Sequence, residues 1–182
     1  MRRVYRTMFT PFTITSLVFL SALAIIVIYY DVRYRRIPNA FVLSTLVSGL
    51  IINSIFGGFN GALSSLAGCA LALGLMLVPH ILGALGAGDV KLFAAIGSLV
   101  GLKLVIPTFI IVVLAGGALA IYTMLRNGTV RHTMHGVLRI FVGLLPGWQM
   151  PRFGTPADLR HTIPYGVAIM LGTIISLVTA RA

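Results

Sequence analysis

Acidic side chains are nearly missing from this chain: of 182 residues only Asp31, Asp89 and Asp158 carry a carboxylate. Charged residues of both signs make up 9% of it against 58% hydrophobic residues, a balance that excludes a water-soluble domain of this length. The single cysteine, Cys69, excludes an internal disulfide and a cysteine cluster for zinc, so buried packing is its expected role. No glycine-rich stretch completes a P-loop or a dinucleotide fingerprint. The net charge of +11 would suggest nucleic acid in a soluble protein. Here the arginines cluster at the ends of apolar runs, where they meet lipid phosphates, so membrane lipids are expected as partners and nucleic acid is not.

What is abundant is apolar sequence in runs long enough to cross a bilayer, about 20 residues each. Runs near residues 12–30, 39–56, 61–82, 90–101, 104–125 and 162–180 predict an all-α, polytopic membrane bundle of about six transmembrane helices, a single domain filling residues 1–182. The fourth run is short for a crossing and must share apolar sequence with its neighbours or cross incompletely. The first run is too long for a typical signal core and ends in Tyr29-Tyr30-Asp31 rather than small residues, so it reads as a retained span. Gly57, Gly58 and Asn60 mark a turn between the second and third spans, and the stretch from Gly101 to Pro107 another. Small residues form a stripe along the third span (Gly61, Ser65, Gly68, Ala72) and a shorter one along the fourth (Gly97, Gly101), which lets helices approach closely in lipid.

With the loop after the first span on the cytoplasmic side, nine basic residues lie inside and five outside, the favoured orientation. The three arginines of the N-terminus pull the other way. Residues 127–161 carry Val130, Met134, Val137, Leu138 and Phe141 at helical spacing, with Arg131, His132, His135 and Arg139 between them, as expected for an interfacial helix on the cytoplasmic surface. His132 and His135 have no third ligand in view, so no metal is expected there. Trp148 with Arg152 reads as an interfacial anchor, Asp158 as part of a helix cap, and His80, just before the glycine-rich turn, as a polar residue at the interface, with a place near the site in space as the alternative.

Ionisable residues beside membrane spans are costly and are kept for a function or for a partner. Asp31 ends the first span and Asp89 begins the fourth, and alternating crossings put both ends on one side. Two carboxylates at contact distance suffice to hydrolyse a peptide bond without a metal or a covalent intermediate: one, ionised, takes a proton from water, and the other, protonated, polarises the carbonyl. Repulsion between them leaves one proton shared by the pair. The helix dipole favours negative charge at Asp89, which opens a helix near Lys91, and disfavours it at Asp31, which closes one; this makes Asp89 the base and Asp31 the acid.

Around Asp89 the run is Gly86-Ala87-Gly88-Asp89-Val90-Lys91, whose glycines allow a tight approach of backbone and of an extended substrate strand. After Asp31 comes an arginine-rich turn ending Ile37-Pro38-Asn39, in which Pro38 stops the first helix and Asn39 caps the second. Each run also has a purely structural explanation. Together, in this order and followed by Pro164-Tyr165-Gly166-Val167-Ala168-Ile169, they resemble the three signatures of the prepilin peptidase family, over about residues 18–178.

That resemblance implies an aspartic endopeptidase of the bacterial cytoplasmic membrane, needing no cofactor, that cuts the short basic leader from prepilins or pseudopilins at the cytoplasmic face. It implies Asp31 and Asp89 as the catalytic pair. Gly86 and Gly88 would shape the second aspartate's loop, with Lys91, Pro38 and Asn39 around it, and Pro164, Tyr165 and Gly166 would help close the site. The first loop is short and lacks the paired cysteines of the longer, bifunctional members, so N-methyltransferase activity is not expected. The short form is similar to the CpaA/TadV peptidases of Flp-type pilus assembly or to a pseudopilin processor of type II-like secretion, which makes pilus-assembly machinery a further expected partner. The competing readings are a proton- or cation-coupled transporter, since intramembrane carboxylates also relay ions, and a non-catalytic assembly subunit.

Overall fold

The computed structural model describes residues 11–34, 37–82, 85–127 and 165–179, and every described element is a helix. In chain order these are α1 (Pro11–Tyr34), α2 (Asn39–Ile81), α3 (Ala87–Val100), α4 (Leu102–Asn127) and α5 (Tyr165–Thr179). Three are long and apolar enough to cross a membrane: α1, α2 and, over Leu102–Thr123, α4. The expected count of about six is thus not reproduced; three helices meet the criterion among the described residues, which exclude the proposed interfacial segment beyond Asn127, with His132, His135, Trp148, Arg152 and Asp158.

α2 explains part of the difference. A straight helix of its 43 residues would be about 65 Å long, twice a bilayer's hydrocarbon thickness. It is instead two limbs, broken at Gly58, whose φ of +57° and ψ of −143° favour glycine. A side chain on Gly61 would strike the Asn53 carbonyl, so the chain folds back on itself within a few residues of the break. The glycine turn expected between the second and third spans is therefore present, inside one continuous element.

α3 sits between those limbs. Val90 and every residue from Leu92 to Val100 are buried, and only Lys91 on that stretch is exposed. A helix that is apolar all round is one enclosed by protein, and at 14 residues α3 is shorter than the about 20 that a lipid-facing span needs. The close fit uses the small-residue stripes. A Cβ on Gly97 would stand 2.5 Å from the Ala72 Cβ and from the Gly68 carbonyl oxygen, and one on Gly49 would stand 2.7 Å from the Leu99 nitrogen. The turn into α4 is confined to Gly101, with φ +76°; α4 starts at Leu102 and carries Pro107 inside it, so the broader turn expected through Pro107 is not formed. Pro107 stands sixth in α4, past the first turn, so it removes one bond of the helix, the one that would reach the Lys103 carbonyl.

The C-terminal carbonyls of α3 have no partners of their own helix, and lipid offers none. Asn53 Nδ2 supplies them, standing 2.9 Å from the Ser98 oxygen and 3.0 Å from the Leu99 oxygen, while Ser65 Oγ donates to the Ser98 oxygen at 2.8 Å. Both limbs of α2 therefore fasten the same end of α3. Asn53→Leu is expected to destabilise the bundle by roughly 1–2 kcal/mol, measured by reversible unfolding in mixed micelles. The loss stays moderate because Ser65 still serves Ser98.

On the other side of the core α4 and α5 pack together, joined by a hydrogen bond of 2.7 Å between Thr108 Oγ1 and Ser176 Oγ. α1 packs against α5 and α2, with Leu20, Leu23 and Val27 in the shared core.

Candidate active site

Asp31 lies in the last turn of α1, and Arg33 follows it there. Although it ends a helix, Asp31 is only 7% exposed. Its cover comes from the start of α5: a Cβ on Gly166 would stand 2.8 Å from Asp31 Oδ2 and 3.1 Å from its Cγ. Gly166 is thus the residue whose missing side chain lets α5 close over the carboxylate.

Asp89 occupies the first turn of α3, three residues after the N-cap Gly86. Gly86 offers no side chain to cap the helix; instead Asp89 turns back so that its carboxylate lies within reach of the Gly86 N–H. This is half of the reciprocal arrangement that commonly starts a helix, and it places the carboxylate over the turn. The Val90 N–H donates to the Gly86 carbonyl at 3.3 Å and closes the first turn. Asp89 is half-buried and lies within electrostatic reach of Asp31.

The two carboxylates are therefore brought together at one end of the bundle. Tyr165 completes the surroundings. It opens α5, lies within electrostatic reach of Asp89, and lays its ring on Gly116 of α4, where an added Cβ would stand 2.8 Å from the ring Cζ and 2.9 Å from the hydroxyl oxygen. Gly116 was not singled out from sequence; its signal is the Gly116-Gly117 pair, flanked by Ala115 and Ala118, in the middle of an apolar helix.

Of the other residues expected here, Gly88 is near: a Cβ on it would make only ordinary contact, 3.9 Å, with the Ile37 Cβ, so packing does not require glycine at that position. Lys91 is exposed. Pro38 is half-buried, and the expected capping role of Asn39 falls to Pro38, whose extended φ and ψ of −61° and 134° precede the helix and whose carbonyl accepts from the Phe41 N–H at 3.1 Å. Asn39 is already the first helical residue and is exposed, because the proline ring sets the backbone for the helix one position earlier. Pro164 lies outside the described residues. A separate cavity of about 610 Å³ opens between Ile14–Ala22 of α1 and Ser48–Ile52 of α2, toward the opposite end of α1, and its lining carries no ionisable group.

The segment that holds both aspartates matches a known family. Residues 17–121 fit the model of the type IV leader peptidase family. The chain belongs to this family. Among characterised members it is similar to the prepilin leader peptidase/N-methyltransferase of Bacillus subtilis (strain 168), 35% identical over 114 residues that cover 59% of this chain and 45% of the relative. It is also similar to the prepilin leader peptidase/N-methyltransferase of Legionella pneumophila, 30% identical over 138 residues, 71% of this chain and 48% of the relative. The chain spans about half the length of these leader peptidases. No solved structure matches it. Within the family match fall Asp31, Asp89, Gly86, Gly88 and Gly116, while Tyr165 and Gly166 lie beyond it and are tied to the pair by the contacts described above.

Proposed function

We propose that this chain is an aspartic endopeptidase of the bacterial cytoplasmic membrane that removes the short basic leader from prepilins or pseudopilins. The observation that supports it above all is the meeting of Asp31 and Asp89, far apart in sequence, at one end of an apolar bundle in a chain that belongs to the leader peptidase family. One carboxylate takes a proton from water as the water oxygen bonds to the scissile carbonyl carbon; the other gives its proton to the carbonyl oxygen. Collapse of the resulting tetrahedral diol breaks the C–N bond, and the proton taken from water passes to the departing amine. The helix dipoles assign the base to Asp89, in the first turn of α3, and the acid to Asp31, in the last turn of α1.

Room for the substrate strand is offered at Gly88, where the fold itself demands no glycine. Membrane topology completes the proposal: the two limbs of α2 each cross, α3 and α5 join α1 and α4 to make six passes, and the basic residues near the aspartates put the catalytic end in the cytoplasm. Only four residues, Arg35 to Pro38, separate α1 from α2, too few for an inserted module, so we propose peptidase activity without N-methylation. The substrate serves a Flp-type pilus or a type II-like secretion apparatus in this reading.

The test is co-expression of a candidate prepilin with the native chain in cells lacking their own leader peptidase, followed by N-terminal sequencing of the pilin. The expected product begins directly after the basic leader. A prepilin that keeps its leader, across substrates of both the pilus and secretion classes, overturns the proposal.

A further inference from the structure

We propose that His80 is a positioning residue for Asp89, acting through the peptide group between Leu85 and Gly86; the inference rests on the reading of Asp31 and Asp89 as the catalytic pair. Both ends of that one peptide face a polar side chain. His80 Nδ1 lies 2.8 Å from the Leu85 carbonyl oxygen. A carbonyl only accepts, so the ring nitrogen donates, and the ring carries its proton on Nδ1. The N–H of the same peptide belongs to Gly86, and the Asp89 carboxylate lies within its reach. Asp89 Oδ2 stands accordingly close, 3.3 Å from the position a Gly86 Cβ would take. Imidazole, peptide and carboxylate thus follow one another as a line of polar groups, with the imidazole bond polarising the peptide that faces Asp89.

The local sequence explains why such a fastening has work to perform. α2 ends at Ile81, where the Leu82 N–H donates to the Val78 carbonyl at 3.2 Å, and α3 begins after Gly86 with no side-chain cap. Between them the Leu85–Gly86 peptide is the group that aims the N–H at Asp89. Gly86 has no Cβ to resist rotation of that peptide, so its plane must be held from the other end. Leu85 contributes by packing against the core, and His80 contributes the directed bond. If the plane turned, the Gly86 N–H would leave the carboxylate, and Asp89 would lose the contact that sets its direction over the turn. Pro79, immediately before His80, restricts the backbone that carries the ring.

The experiment compares cleavage kinetics of a prepilin substrate by the purified native chain, His80→Leu, His80→Phe and His80→Asn in detergent micelles, with thermal unfolding of each. Leu and Phe cannot donate; Asn places an amide N–H near the position of Nδ1. The expected result is a fall in kcat of about 10- to 100-fold for Leu and Phe with KM and melting temperature unchanged, and recovery of most of that loss in the Asn variant. Native kcat in the Leu and Phe variants, a loss that Asn does not recover, or a loss that appears in KM or in the melting temperature instead, overturns the positioning role while leaving the peptidase reading intact. A native chain that cleaves no prepilin overturns both.

Discussion

Asp31→Asn and Asp89→Asn, each alone, are expected to abolish prepilin processing, lowering the cleavage rate by about 100- to 10,000-fold at matched membrane levels. Asparagine keeps the shape of the side chain and can still accept hydrogen bonds, but it can neither take a proton from water nor give one to a carbonyl. The two roles are steps of one reaction, so the double variant should be no slower than the slower single one. A quantitative processing assay with the four chains measures this directly. Cleavage that survives either change would show that the pair is not the catalytic machinery, and equal loss of folded protein in the variants would point to a structural role. The positions of the carboxylates also weigh against ion transport. Both stand at helix ends, one in a last turn and one in a first, at the same end of the bundle.

Gly166→Ala is expected to have the second largest effect. The added methyl would lie 2.8 Å from Asp31 Oδ2, well inside contact distance, and a helix start backed by the α4–α5 packing cannot simply retreat. The cheaper response is rotation of the Asp31 side chain away from Asp89. An ångström-scale misplacement of a reacting group costs on the order of 100-fold in rate, and we expect a loss of that size with little change in the unfolding transition. Gly117→Ala is the matched control, since a Cβ there meets nothing within 4 Å, and its processing rate should equal that of the native chain. Equal rates for both variants would mean that the contact between α5 and Asp31 does not govern the reaction.

The sequence made much of this arrangement legible. Apolar runs separated by glycine, proline and arginine predicted helices throughout, and every described element is a helix. The scarcity of acids directed attention to Asp31 and Asp89 because so few alternatives exist. The number of spans was not legible to the same degree. Hydropathy counts lipid-compatible residues, but burial in protein requires the same residues, and α3 shows the ambiguity: it is apolar on every side because helices surround it. The cap at Pro38 instead of Asn39 is an ambiguity of one residue, which backbone angles decide and residue preferences do not.

Two parts of the site could not be read in advance. Gly116 acquires its meaning from the ring of Tyr165, which arrives from a helix nearly fifty residues later. His80 read as an interfacial side chain first and as a neighbour of the site second, because nothing in its neighbours says which carbonyl its ring will find. By itself, then, the sequence determined a membrane-embedded helical chain, pointed to Asp31 and Asp89 as the candidate pair, and marked the glycines that permit close approach. These follow from composition and local spacing. Tertiary structure alone decided that both limbs of α2 clasp α3, that Gly166 meets Asp31 while the Tyr165 ring lies on Gly116, and that His80 reaches the Leu85 carbonyl. All but the last are contacts between residues distant along the chain, and they exist only once packing has fixed which faces meet.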